Sequence, residues 1–410
     1  MRKTRRAAIL LLTFIACSVY HAQGIHYLYI KEIPAATDYT ADFKSVSDRV
    51  NAKYTHLRDK HIDGALLQTA YLALVKHAGN NLEYGTILLR YFAALKNSHA
   101  NAIFKKYHIP CSAILLENRV FMAYIGDSLF IKNGIREKDE ILKINGIPVL
   151  TYIESEAKYT SASTDLHRTY LTVSHLFSSY MEESRSYTIK TPSGEKEVTV
   201  VFNDLPNRQA GKASGPVPAN IEAKVLNDRV AYLSILSMTG TVVDEFIKAF
   251  DTLSKKPVLI IDVRRNQGGN SANSEKIAEY LISKKQKACV SKRWLHPKVD
   301  HFTGKLFLLI SPYTVSAAES FVLDVSEGST ATLVGMPTAG DTGNQPRVYN
   351  SRLGYSYWFP SRKKAQVSPK GFPMEGKSIE PHYTVSKTIA DFFDNKDTVL
   401  NYVLDLISKN

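Results

Sequence analysis

Apolar positions in the N-terminal quarter of the chain follow a helical period. Between residues 41 and 97, apolar residues recur every three to four positions, which predicts helices. One helix is marked by the spacing of Leu66, Ala70 and Leu74, and Gly79 follows as its stop signal. A second helix, at about 83–96, carries its apolar residues on one side: Leu88, Leu89, Phe92 and Leu95.

The pattern shortens to strands and turns from about residue 109 to residue 203. The stretch NRVFMAYI predicts a strand, and Ile141, Leu142 and Ile144 precede an Asn-Gly pair at 145–146 that favours a tight hairpin. Residues 204–220 are rich in proline, glycine and polar residues, so they predict a linker.

Strand and helix signals alternate in the C-terminal half. Buried strands are predicted at VAYLSIL, VLIIDV and KLFLLIS, with helices at 241–254 and around Ile277 and Leu281. This alternation is typical of an α/β core. The predicted fold class is therefore α/β, with an N-terminal helical region and a β-rich insert.

Composition supports a folded chain of several domains. Of the 410 residues, 44% are hydrophobic and 22% are charged, which is enough apolar material for two or three domains. The formal net charge is +13, but the basic residues are scattered in short groups without a long basic block. This distribution argues against nucleic-acid binding and is typical of a solvated basic surface.

The first 22 residues have the order of a signal peptide. Four cations at positions 2, 3, 5 and 6 precede a ten-residue apolar run at 7–16. This order predicts export, with cleavage of the leader after Ala22. Cys17 offers an alternative as a lipid-anchored cysteine. No later stretch reaches the ~18 consecutive apolar residues of a membrane helix. Removal of the leader lowers the formal net charge to +9.

Cysteine and histidine spacing gives no metal signature. After export only Cys111 and Cys289 remain, and the sequence leaves open whether they form a disulfide. There is no CxxC pair and no HExxH, so a metalloprotease lacks its ligands.

The first stretch that carries candidate chemistry is IIDVRRNQGGNSANSEKIAEYL. An apolar strand leads through Asp262 and Arg264 to Asn266, then to Gly268–Gly269 and a helix. Paired glycines allow the backbone to approach a ligand with its N–H groups exposed. An ordinary strand–helix turn has the same pattern, and a Rossmann phosphate loop lacks its third glycine here.

The second stretch is TVSAAESF. Ser316 follows a predicted strand and begins a helix, where N–H groups and the positive end of the helix dipole favour negative charge. These donors suit an oxyanion, with Ser316 as a nucleophile. Ser316 and Glu319 equally fit a capping box, so the alternative is a structural cap.

The pair DVRRNQGG and VSAAE, about fifty residues apart, resembles the motifs of the C-terminal processing peptidases, or tail-specific proteases. The resemblance extends over roughly residues 40–405. It implies that Ser316 is the nucleophile and that the N–H groups of Gly269 and Ala317 form the oxyanion hole. It also implies a crotonase-type α/β core.

The resemblance, together with the leader and linker compositions, gives the expected order of domains. They are a signal peptide at 1–22, a helical region at 23–105, a PDZ-like domain at 106–203, a linker at 204–220 and the protease core at 221–410.

The base that activates Ser316 is expected to be a histidine. Bacterial members of the family use a lysine after the next strand, but Asp341 stands there in this chain. The branch that resembles the tricorn core protease uses a histidine before the insert, and LKNSHAN matches it with Ser98 and His99. Histidine suits this role because its ordinary pKa of ~6.5 lets it accept and return a proton.

That branch also has a glutamate near the C-terminus. MEGKSIEPHY supplies Glu375, with Ser378 and His382 as departures from the motif and Glu380 as a nearby competitor. The resemblance implies that Glu375 orders the polar network around Ser98 and His99.

The sequence thus predicts an exported serine endopeptidase that acts on peptides or unfolded proteins, without a metal or cofactor. Two alternatives stay open. One is a catalytically inactive PDZ-type peptide-binding protein, and the other is acyl-CoA chemistry, which also uses paired backbone N–H groups. The substrate identity and the oligomeric state are left open.

Overall fold

The computed structural model describes residues 27–34, 38–203, 219–341, 345–362 and 366–409. The expected signal peptide, Cys17 and most of the expected linker lie outside these residues. The chain divides into two compact units. The first comprises Met1–Ala162, Arg168–Pro216 and Gln345–Lys363, and the second comprises Ser163–His167, Val217–Asn344 and Lys364–Asn410.

The α-helices of the described residues are numbered α1 to α11. They span Tyr39–Lys53, Gly64–Val75, Asn81–Ala94, Ser128–Lys132, Val149–Glu156, Asp165–Ser174, Val242–Leu253, Ser271–Ala278, Ala317–Gly328, Ile389–Phe393 and Thr398–Ser408. Short 3-10 helices span Ile30–Glu32 and Ala157–Tyr159.

The strands are numbered β1 to β19. They span Asn101–Ile103, Tyr107–His108, Cys111–Leu116, Arg119–Ile125, Glu140–Ile144, Ile147–Pro148, Ser178–Ser179, Glu183–Thr191, Gly194–Phe202, Ile221–Val225, Val230–Ile235, Val258–Asp262, Gln286–Lys287, Trp294–Leu295, Lys305–Ile310, Thr332–Gly335, Pro346–Asn350, Ser356–Pro360 and Tyr383–Thr384.

Helices α1 to α3 form the helical part of the first unit. The predicted apolar side of α3 is buried, with Leu88 and Phe92 fully enclosed. Helix α2 also forms, but Leu66 is 69% exposed and Leu74 is 39% exposed. The four-residue spacing therefore identified the helix without identifying a buried face, because a period specifies only which residues share a side.

The β-rich part of the first unit is an antiparallel sheet with the strand order β3-β4-β5-β8-β9. The predicted hairpin joins β5 to β6 through Asn145 and Gly146, whose φ angles are 50° and 74°. Both values are left-handed, as a tight primed turn requires. The region also contains α4, α5 and α6, which the strand-and-turn interpretation did not predict.

The second unit is built on a sheet with the order β10-β11-β12-β15-β16-β19. Strands β11, β12, β15, β16 and β19 pair in parallel. Helices α7, α8 and α9 contribute to the core on one face, while α11 packs on the other face through Val399, Val403 and Ile407. The predicted α/β fold class is confirmed. Because the strands are parallel, the turns after β12 and β15 leave the same edge of the sheet.

The structure tests the possible disulfide and the possible membrane helix. Cys111 and Cys289 are both buried free thiols, so they form no disulfide. Within the described ranges, none of the helices has the length and apolar character needed to cross a bilayer.

Candidate active site

The loop after β12 is anchored by an ion-pair network. Arg264 donates to Asp262 through Nε at 3.0 Å and to the Asp397 carboxylate through Nη1 at 2.8 Å. Tyr232 Oη donates to Asp262 Oδ2 at 2.7 Å. The Asp and Arg of the DVRRNQGG stretch therefore hold the strand end in place.

Asn266 joins the loop after β12 to the loop that precedes Ser316. Its side chain is fully buried; Oδ1 accepts from the Gly268 N–H at 2.8 Å and Nδ2 donates to the Ile235 carbonyl at 3.0 Å. Its own carbonyl accepts from the Val315 N–H at 3.1 Å. Asn266 lies within the DVRRNQGG motif, but its sequence position alone did not indicate a part in the site.

Gly268, the first of the paired glycines, lies directly against Ser316. Gly268 and Gly269 have φ angles of 97° and 138°, a region in which a side chain is strained. A Cβ on Gly268 would lie 2.8 Å from Ser316 Cβ and 3.0 Å from the Ala317 nitrogen. The close approach of the two turns therefore requires glycine at position 268.

Ser316 sits in a left-handed backbone conformation at the start of α9, with φ 57° and ψ −121°. Its N–H donates to the Asp341 carbonyl at 3.0 Å, and its carbonyl accepts from the Glu319 N–H at 2.9 Å. The Glu319 half of a capping box is present, because the Glu319 carboxylate accepts from the Ser316 N–H, but the Glu319 N–H donates to the Ser316 carbonyl and the hydroxyl accepts no capping hydrogen bond. A non-glycine residue in this region is uncommon, and such conformations cluster at functional sites.

Glu319 is a buried carboxylate that ties the start of α9 to the loop after β16. Its Oε1 accepts from Thr338 Oγ1 at 2.6 Å and from the Gly340 N–H at 2.8 Å. Its Oε2 accepts from the N–H groups of Asp341 at 2.8 Å and Ser316 at 3.2 Å. Burial raises the pKa of Glu319 to about 7, against the opposing effect of these donors. The sequence predicted the helix start but not this clamp.

Two N–H groups beside Ser316 remain available. Within the described part of the chain, neither the Gly269 N–H nor the Ala317 N–H has a hydrogen-bond acceptor, whereas the Gly268 N–H donates to Asn266. Ala317 is also the first residue of α9, where the helix dipole is positive. These groups are suited to an oxygen that becomes negative.

Glu375 lies beside the loop that contacts Ser316. It forms an antiparallel bridge with Asp341, and the Gly376 N–H donates to the Gly340 carbonyl at 2.8 Å. Asp341 itself is buried. Glu375 is half-buried, whereas the competitor Glu380 is exposed.

Ser98 and His99 belong to the first unit, in the turn between α3 and β1. Both are half-buried. Asn97 is fully buried beneath them; its Oδ1 accepts from the His99 N–H at 2.8 Å and its carbonyl accepts from the Ala100 N–H at 3.0 Å. The second unit thus brings Ser316, Ala317, Gly269 and Glu375 to one region, while Ser98 and His99 are held by the first unit.

Solved structures share this fold. Mature CPAF complexed with lactacystin is similar at a TM-score of 0.74 and 16% identity, over 91% of this chain and 99% of that chain. A putative peptidase from Parabacteroides merdae is similar at a TM-score of 0.56 and 16% identity, over 90% of this chain and 97% of that chain. At such identities the likeness is one of fold.

The sequence itself matches peptidases. The carboxy-terminal processing protease CtpB of Bacillus subtilis is 28% identical over 159 residues, which are 38% of this chain and 28% of that protein. The chain therefore matches less than a third of the length of this relative.

Two family models match separate parts of the chain. Residues 229–385 match peptidase family S41, and residues 115–202 match the N-terminal domain of the S41 family described for Bacteroidetes. Together they cover more than half of the chain. The resemblance to the C-terminal processing peptidases is confirmed at the level of the family, while the serine–histidine branch stays a prediction. This chain belongs to peptidase family S41.

Proposed function

We propose that the protein is an exported serine endopeptidase whose nucleophile is Ser316. The observation that carries the proposal is the surroundings of this serine: a left-handed backbone, Gly268 in close approach and two N–H groups without acceptors in the described part of the chain. A helix cap alone needs none of these features, because capping serines usually have extended backbone angles.

The proposed reaction is acyl transfer to Ser316 and then to water. Ser316 Oγ attacks the carbonyl carbon of a peptide bond while His99 takes the hydroxyl proton. The Gly269 and Ala317 N–H groups stabilise the oxyanion of the tetrahedral intermediate. The carbon–nitrogen bond then breaks, His99 gives its proton to the leaving amine, and water hydrolyses the acyl-enzyme.

His99 is proposed as the base because the chain has no lysine at the position where bacterial members of the family have their lysine base. Asp341 stands where a lysine base would stand, and a carboxylate there cannot replace an amine of ordinary basicity. The assignment of His99 rests on its sequence context with Ser98. Glu375 is proposed to order this pair and to stabilise the imidazolium that forms.

The substrates proposed are peptides or unfolded proteins. The β-rich insert at 106–203 is proposed to be PDZ-like and to select or position the substrate chain. Export to the periplasm or cell envelope follows from the leader-like residues 1–22.

A second candidate function is peptide binding without catalysis. The presence of Asp341 in the place of the lysine favours it, since loss of a base is one way in which a peptidase fold becomes inactive. Acyl-CoA chemistry would also use paired N–H groups, but it needs no strained serine between them, and its substrates are found inside cells.

A fluorophosphonate probe separates these functions, because it labels an activated serine and leaves a capping serine unmodified. We expect labelling of the wild-type chain at Ser316, none in Ser316→Ala, and full labelling in the control Ser326→Ala, which changes a half-buried serine on the same helix. If Ser316 were only a cap, Ser316→Ala would lose ~1 kcal/mol of stability and keep any activity. That result would overturn the proposal.

A further inference from the structure

A two-stranded hairpin in the second unit carries an unusual amount of positive charge. We call residues 283–299 the basic hairpin; it contains β13 and β14, which pair Gln286 with Leu295 and Lys287 with Trp294. Its exposed cations are Lys284, Lys285, Lys287, Lys292, Arg293 and Lys298. The exposed acid nearest in sequence is Asp300.

Only part of this charge is neutralised. Arg293 pairs with Glu275 and Glu279 at 2.8 Å each, and Lys298 pairs with Glu279 at 3.4 Å. Lys284, Lys285 and Lys287 form no ion pair with any described residue. The segment 284–287, which leads into and forms the first strand, therefore presents to solvent three ammonium groups without an ion-pair partner among the described residues.

Apolar groups are exposed among these cations. Trp294 is 50% exposed, and its ring lies under Lys285 Nζ at 4.7 Å and Lys287 Nζ at 5.6 Å. Val299, four residues after the strand, is fully exposed. Tryptophan with lysines around it is the combination favoured at a bilayer interface, where the indole enters the headgroup region and the ammonium groups meet phosphates.

The basic hairpin lies at the opposite end of α9 from Ser316. Gln286 Nε2 donates to the Asp324 carbonyl at 2.5 Å in the C-terminal half of the helix, and the Ser283 N–H donates to the carbonyl of its last residue, Gly328, at 2.9 Å. Helix α9 has 12 residues, so about 18 Å separates its two ends. The contacts of the hairpin with this helix are therefore remote from Ser316.

We propose that the basic hairpin docks the protein on the surface of an anionic phospholipid bilayer. The three unpaired lysines supply the attraction to the headgroups, and Trp294 and Val299 enter the interface. A soluble polyanion would use the lysines alone and would leave the exposed indole in water, so the arrangement favours lipid. This inference is independent of the proposed catalytic function.

Co-sedimentation with vesicles tests the proposal. We expect the protein to bind phosphatidylglycerol vesicles at low salt, to bind phosphatidylcholine vesicles far less, and to dissociate as salt rises. The triple variant Lys284→Gln/Lys285→Gln/Lys287→Gln should bind about 100-fold more weakly, since each lysine near an anionic surface contributes roughly fivefold. The control is Lys132→Gln/Lys143→Gln/Lys190→Gln, which removes three exposed lysines from the first unit and should bind like wild type.

Tryptophan fluorescence tests whether the indole enters the bilayer interface, which electrostatic attraction alone would not require. The chain has two tryptophans. We expect a blue shift of the emission on anionic vesicles in the wild-type chain and none in Trp294→Phe, which retains Trp358. Equal loss of binding in the two triple variants would show a general charge effect and overturn the proposal. Failure to bind anionic vesicles, or equally tight binding to soluble polyphosphate without a blue shift, would overturn it as well.

Discussion

Ser316 shows at the scale of one residue how a sequence pattern can have two meanings. Serine followed three residues later by glutamate fits both a capping box and a nucleophile at a helix start. In the structure Ser316 has a φ of 57°, its N–H donates to Asp341 and Glu319, and its hydroxyl accepts no capping hydrogen bond. The backbone angle that separates the two interpretations depends on Asp341 and Gly268, which are distant in sequence.

The proposed base is testable at this same scale. We expect peptidase activity to rise with pH through a single ionisation in the ordinary histidine range and to be lost in His99→Ala, because only the neutral imidazole accepts the Ser316 proton. The control Lys377→Ala changes an exposed lysine whose backbone lies near Gly340, and it should stay active. A profile that rises only above pH ~9, together with loss in a lysine variant, would indicate a serine–lysine pair instead.

Glu375 and Glu380 form a matched pair of acids on one segment. Glu375→Gln keeps the shape but removes the charge that would stabilise the imidazolium, so we expect kcat to fall at least ~10-fold, or about 1.4 kcal/mol of barrier. Glu380 is exposed, and Glu380→Gln should behave like wild type. Steady-state kinetics on one peptide substrate would separate kcat from KM. If Glu380→Gln lowered kcat and Glu375→Gln did not, the role would belong to Glu380. If neither variant lowered kcat, Glu375 would have no part in catalysis.

At the scale of elements, the site depends on two strand–helix turns that touch. Gly268→Ala should abolish activity, because the added Cβ would lie 2.8 Å from Ser316 Cβ and would push the two turns apart. Gly371→Ala is the control for backbone strain: Gly371 has a φ of 84° in the same unit, but nothing lies within 4 Å of its added Cβ. Activity and melting temperature measured together would decide the case. Equal losses in the two variants would mean that strain, and not the close approach, is responsible.

At the scale of the whole molecule, buried acids in the second unit should make stability depend on pH. Asp324 is fully buried; its Oδ1 accepts from the Cys289 N–H at 2.8 Å, and within the described residues its Oδ2 has no partner. Burial raises the pKa of Asp324 to about 7. In the unfolded chain the pKa of an aspartate is about 4. The folded state therefore holds a proton that the unfolded state releases between these values.

The sign of the effect follows from this proton. The contribution of Asp324 to stability is greatest below pH ~4 and falls as pH rises toward 7, by about 1.4 kcal/mol per pH unit. Asp324→Asn removes the titration, so the free energy of unfolding of wild type relative to the variant should decline across this window. Urea unfolding of both chains from pH 4 to pH 8 measures this difference. A difference that does not change with pH would contradict the assignment.

The sequence by itself determined the elements and the chemistry that they carry. The α/β alternation, the strands at VAYLSIL and VLIIDV, the Asn145–Gly146 hairpin and the helix start at Ser316 are all signalled by residues close together in the chain. Periodicity, turn chemistry and helix caps are local, and so a linear reading finds them. Helices α4 and α5, of 5 and 8 residues, were missed because so few residues show little of a helical period. Helix α6 has 10 residues, so shortness does not explain why it was missed.

Only the tertiary structure decided which of these elements meet and which faces are covered. It left Leu66 exposed on a helix of regular spacing and brought Gly268 against Ser316. It also joined the backbones of Asp341 and Glu375 in a β-bridge. The parallel sheet brings the turns after β12 and β15 to one edge although about fifty residues separate them. Such contacts depend on strand order and register, which neighbouring residues do not specify.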